Sequence, residues 1–171
     1  MGGGRQDPVS NADVDINLEH TRVHDGSMYT AVSFDSDVDN AAPKWWIINA
    51  PDSAVRVHIK IQIDASDEFL VEFSEAATAD TDGAAVTPRN CDRNSGNDAT
   101  ATFGSDPTNP AAGATMLFQE IVGSANNKTR VGGNARNGAE WILKRNTKYA
   151  IKVTPTNDNT KVSMVAEFYE V

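Results

Sequence analysis

The chain has little sulfur chemistry to draw on: Cys91 is the only cysteine among 171 residues. An intrachain disulfide is therefore excluded, and packing must supply the stability. Basic residues are scarce too, with fifteen Lys and Arg against twenty-four Asp and Glu, a formal charge of −9 and a pI near 4.7. Such a balance repels a phosphate backbone, so nucleic acid is not an expected partner. No apolar run approaches the roughly 20 residues that a membrane-spanning helix needs. The opening Met1 to Pro8 shows neither the charged nor the apolar region of a secretory leader, so synthesis in a reducing cytoplasm and no membrane partner are expected. Also missing is any sustained apolar period of 3.6 residues, which argues against a helical core.

What is present is alternation. From Val55 to Ile63, Val55, Val57, Ile59, Ile61 and Ile63 alternate with Arg56, His58, Lys60 and Gln62, the period-two pattern of a long half-buried strand. Strand-like runs also cover 28–34, 44–49, 68–74, 116–123, 140–144, 148–154 and 161–169, with Asn/Thr/Asp turns between the last ones. An earlier run, Ile16, Leu18 and His20 alternating with Asn17, Glu19 and Thr21, reads as a further strand. The mean hydropathy of −0.44 suits sheets wet on one face. The pattern predicts an all-β fold, an antiparallel β-sandwich of jelly-roll type, as one domain over 16–171. Residues 1–15, Gly-rich and then Asp/Asn-rich, read as an extended N-terminal arm. The stretch 75–113, rich in Ala, Thr, Asp, Asn, Gly and Pro, reads as a long shaped loop carrying at most short strands. A smaller Gly/Asn-rich loop spans 123–138.

No catalytic constellation emerges, and no cofactor or metal is expected. Asp35, Asp37 and Asp39 imitate the opening of a calcium loop, but Asn40 stands where Gly is needed and Trp46 where a bidentate Glu is needed. An acidic turn is the better reading. His20 and His24 have an H-x3-H spacing, which on a strand sets the imidazoles about 13 Å apart, too far to share a metal. His58, on the polar face of the strongest strand, reads as exposed or hydrogen-bonded. Cys91 has Arg89 and Arg93 nearby but no signature of a nucleophile and its base. Trp45 and Trp46 are adjacent, so on a strand one indole faces the core and the other faces outward, toward a partner.

Four segments carry a resemblance. They are Leu18-Glu19-His20 with His24-Asp25-Gly26 and Tyr29; Pro88-Arg89-Asn90 to Arg93-Asn94-Ser95; Trp141-Ile142-Leu143-Lys144 with Asn146-Thr147-Lys148-Tyr149; and Val165-Ala166-Glu167-Phe168-Tyr169-Glu170. In this order, over about 18–171, they resemble a family of tailed-phage virion proteins, the head decoration or capsid-stabilising (cement) proteins. The resemblance implies a non-enzymatic β-sandwich bound to the outer surface of the capsid in the virion. Its partners would be the major capsid protein and neighbouring copies of itself, as a trimer or dimer. The expected partner-binding residues are Arg5, Gln6 and Asp7 in the arm, Trp45 and Trp46, and Arg89, Asn90 and Arg93 in the long loop. Cys91 within that loop departs from the family pattern. The alternative reading is a host-glycan-binding β-sandwich head of a phage fibre or tail protein, with Trp45 and Trp46 as the aromatic platform.

Overall fold

The computed structural model describes residues 18–123, 133–136 and 140–171. The arm, with Arg5, Gln6 and Asp7, lies outside the described residues, as does most of the loop over 123–138. A short helix α1 (Leu18–His24) is followed by β1 (Met28–Val38), β2 (Lys44–Asn49), β3 (Val57–Ala65) and β4 (Phe69–Glu75). Three short strands follow, β5 (Ala84–Ala85), β6 (Arg89–Asn90) and β7 (Thr102–Ser105). The chain continues through β8 (Thr115–Val122), β9 (Gly133–Arg136), β10 (Trp141–Ile142), β11 (Lys148–Pro155) and β12 (Thr160–Glu170).

These strands form two antiparallel sheets packed face to face. The first runs β10-β3-β12-β1-β6, with β9 also on β3, and the second runs β5-β7-β2-β11-β4-β8. Their pairings are nested. β1 pairs with β12, β2 with β11, β3 with β9 and β10, and β4 with β8. The chain is thus one long antiparallel hairpin, wound so that β12 also pairs with β3 and β11 with β4. This is the jelly-roll connectivity, which converts sequence-distant partners into two facing sheets. The stretch 76–113 is an insertion at the tip of that hairpin, between β4 and β8.

Alternation assembles the core. β3 alternates buried and half-buried residues along its whole length, and on β12 the buried residues include Val162, Met164, Ala166 and Phe168. Facing them from the second sheet are Trp46, Ile48, Phe69, Phe73, Tyr149 and Ile151. Phe168 stacks on Tyr29 at 5.4 Å and lies 5.2 Å from Phe103. Each such fully buried large apolar side chain contributes about 1.5–3 kcal/mol. The two sheets are also tied at one edge by the buried ammonium of Lys44, which donates to Asp35 of β1 at 2.9 Å and to Asp106 after β7 at 2.7 Å.

The segment 18–21 is helical, not a strand, and its sequence pattern explains why. None of the α1 side chains is buried, so the apparent alternation there has no core to serve. A helix instead brings Glu19 and Arg22 onto one side, where Glu19 pairs with Lys60 and the Arg22 guanidinium lies 5.8 Å above the Tyr169 ring. Glu19 in the first turn and Arg22 with His24 in the last also suit the helix dipole. Gly26, at φ +66°, closes the helix: its N–H bonds to Val23 O and that of Ser27 to Arg22 O, the Schellman pattern that favours glycine. A Cβ there would sit 2.4 Å from Ser95 Oγ. As a consequence His20 and His24 are not far apart, and their Nε2 atoms lie 3.1 Å from each other.

Candidate interaction surface

The insertion treats the two sheets differently. On the second sheet it folds back over the outer face, where Thr78 bridges Ala111 and Thr81 bridges Thr108. Ala77 and Ala79 pack there on Ile47, Ala150 and Trp45. The approach is close: a Cβ on Gly104 of β7 would come within 2.0 Å of Asp82 O, so glycine is required at that crossing. On the first sheet the insertion contributes only β6, which pairs with Tyr29 and Thr30 of β1. Beyond Thr30, no strand among the described residues pairs with β1 on that side.

That open part of β1 carries an inverted pattern. Ala31, completely buried, faces the core, while Val32 and Phe34 point outward with 58% and 65% of their surface exposed. Val32 stands opposite half-buried Val165 of β12, so the apolar surface is continuous across two strands. An exposed apolar patch beside an unpaired strand edge is the surface that a partner would cover. Next to it is a hollow of about 390 Å³ lined by Thr30, Val32, Ala85, Val86, Thr87 and Arg89. Arg89 also borders a second, polar hollow of about 190 Å³, whose wall includes Arg93, Ser95, Asn97 and Asp98. Both arginines are exposed, and they add positive charge to one rim of an acidic molecule.

Asn90 is not available to a partner. Its buried amide donates to Gly26 O at 2.8 Å and to Asn97 O at 3.2 Å, and its Oδ1 accepts from the Asp92 N–H. It is a tie between the insertion and the end of α1. Trp46 is likewise withdrawn, because its indole is completely buried between the sheets. Of the adjacent pair it is the one that β2 turns inward. Trp45 faces outward but is half-buried against the insertion, with the Lys152 ammonium 5.4 Å from its ring centre. The expected contact residues thus separate into Arg89 and Arg93, which are exposed beside β1, Trp45, which is largely covered, and Asn90 and Trp46, which are internal.

The ionisable groups outside this surface act as braces. Tyr169 donates to Glu140 at 2.8 Å, and His58 Nδ1 lies 2.6 Å from the same carboxylate oxygen, joining the approach to β10 to β3 and β12. Burial, followed by the Glu140 hydrogen bond, pushes the Tyr169 hydroxyl up to about 12. The His58 and Tyr169 hydrogen bonds hold Glu140 below its ordinary range. The Cys91 thiol is pushed up, by burial first and by the charge of Glu167 second, the opposite of what an activated thiolate needs. Of the acidic run expected to form a turn, Asp35 and Asp37 lie on β1 and only Asp39 follows it; Asp35 accepts from Lys44 and Asp39 from the Asn159 N–H. No family model, no curated protein and no solved structure matches the chain.

Val32 and Phe34 had no place among the sequence-predicted contacts. A signal for them exists: within Ala31 to Phe34, the bulkier apolar set is Val32 and Phe34, and the smaller is Ala31 and Ser33. Only the pairing of Tyr29 and Ala31 with core residues of β12 reveals that the bulkier set faces out.

Proposed function

We propose that this chain is a structural virion protein, a decoration or cement protein that binds the outer surface of a tailed-phage head and stabilises the shell. The observation that carries this reading is the outward apolar pair Val32 and Phe34, where β1 is paired with β12 on one edge and, among the described residues, with no strand on the other, with Arg89 and Arg93 at its rim. This surface is proposed to seat an extended segment of the major capsid protein or of a neighbouring copy, adding main-chain hydrogen bonds to apolar contact. A standard interface hides about 1,600 Å² in total, and repetition over a shell multiplies modest contacts. The jelly roll is compatible with this role but hosts many others. The four sequence segments that resemble the decoration family, and the acidity suited to a position away from packaged DNA, add to the case. The protein would act by adhesion, with no reaction assigned to it. The fibre-head alternative loses its aromatic platform, since Trp46 is internal and Trp45 is covered.

The test is cosedimentation with phage shells stripped of this protein. Wild type should pellet with the shells, and Val32→Asp/Phe34→Asp should remain in the supernatant while melting at nearly the wild-type temperature. Equal shell occupancy by the folded double variant would overturn the assignment of the surface. Failure of the wild type to bind any shell would overturn the decoration reading itself.

A further inference from the structure

We propose that His20 and His24 form a binding site for a divalent late transition metal, with Cu²⁺ the preferred ion. The geometry is the first argument. A metal–imidazole bond is about 2.0–2.1 Å, so two nitrogens on one ion lie roughly 2.9 Å apart at a right angle and roughly 3.3 Å apart at the tetrahedral angle. The observed Nε2–Nε2 separation of 3.1 Å falls between these, with the ring planes 74° apart. The second argument is presentation. Residues 19 and 22 lie on the side of α1 that grips the sheet, through Lys60 and the Tyr169 ring. At about 100° per residue, positions 20 and 24 fall on the far side, and both histidines are exposed. The Gly26 cap and the Asn90 amide on Gly26 O anchor the end of the helix that carries the pair.

Without metal, the same separation suits a hydrogen bond from one imidazole to the other. Metal binding replaces that bond: the donor ring moves its proton from Nε2 to Nδ1, both Nε2 lone pairs go to the ion, and no net proton is lost. No third His, Cys, Asp or Glu joins the pair among the described residues, so water fills the remaining positions. A site of two neutral imidazoles favours Cu²⁺ over Ni²⁺ and Zn²⁺ by the ordinary order of divalent affinities.

Titration of the full chain with CuCl₂, followed by calorimetry and electron paramagnetic resonance, tests this. Wild type should bind one equivalent more than His20→Ala/His24→Ala, with a two-nitrogen signature that the double variant lacks. Copper held by the amino terminus would be common to both proteins. The single variant His24→Gln should weaken the site at least tenfold. In wild type, substoichiometric Cu²⁺ should broaden the His20 and His24 imidazole resonances before those of His58, a readout that needs no variant. Equal copper stoichiometry in wild type and double variant, or uniform broadening of all three histidines, would overturn the proposal.

Discussion

The two outer faces of this sandwich obey the same alternation rule and end in different states. On the second sheet the outward Ile47 of β2 is completely buried, because the insertion lays Ala77 and Ala79 over it. On the first sheet the outward Val32 and Phe34 of β1 stay exposed, because the strand that the insertion adds beside β1 pairs with it only at Tyr29 and Thr30. Both strands carry outward apolar side chains. Where the insertion lands decides which become core and which become adhesive surface.

Matched substitutions on the two faces should separate most widely. Ile47→Asp places an unpaired carboxylate beneath the insertion and should cost about 4 kcal/mol or more, read as loss of the cooperative transition in urea. A loss below about 1 kcal/mol would mean that the cover over the second sheet opens easily. Next comes Asn90→Ala, which removes the shortest of the hydrogen bonds to Gly26 O and leaves the Asp92 N–H without its acceptor. It should lower stability by about 1–3 kcal/mol in the same urea experiment. Wild-type behaviour there would show that the insertion does not depend on its anchor at the end of α1.

Acid should weaken the ties on which the insertion and β1 depend. The hydrogen bond from Lys44 holds Asp35 below the ordinary carboxylate range. Burial pushes Asp82, within the insertion, upward, but hydrogen bonds from Lys148 and Asn49 outweigh it and leave that carboxyl low as well. For a carboxyl lowered in the folded state, the stabilisation is complete above the unfolded pKa of about 3.9 and is lost as pH falls through the lower folded value. The melting temperature should therefore hold from pH 7 to about 5 and fall below about 4. Asp35→Asn should shrink that fall, and an identical acid profile in the variant would remove Asp35 from the account. The smallest effect belongs to the open face: Val32→Asp should change stability by no more than about 0.5 kcal/mol. A larger loss by thermal melting would mean that this face is covered within the protein itself.

Much of the architecture was legible from residue order. The run Val55 to Ile63 has one reading, since its period of two over β-branched residues suits only a half-buried strand, and it forms the middle of the first sheet's pairing with β12. The sparse 75–113 stretch was legible as an insertion with short strands, because its few apolar side chains could not build a layer of their own. The helix at Leu18–His24 was not legible. Its support comes from Lys60 and Tyr169, about forty and one hundred and fifty positions away, and no local apolar pattern stands in for those contacts. The adjacent tryptophans marked one inward and one outward position, but which indole was which depended on the register of β2 against β11.

Residue order by itself determined that this would be an acidic, antiparallel β protein with one inserted excursion, because alternation, turn chemistry and charge are local properties that each segment carries with it. Tertiary structure alone decided that, among the described residues, β1 would have one edge open beyond Thr30 with Val32 and Phe34 outward, that Asn90 and Trp46 would be sealed inside, and that His20 and His24 would meet. Each of those outcomes depends on which distant strand or loop arrives beside a residue, and partners from about forty to about a hundred and fifty positions away leave no imprint on the local pattern.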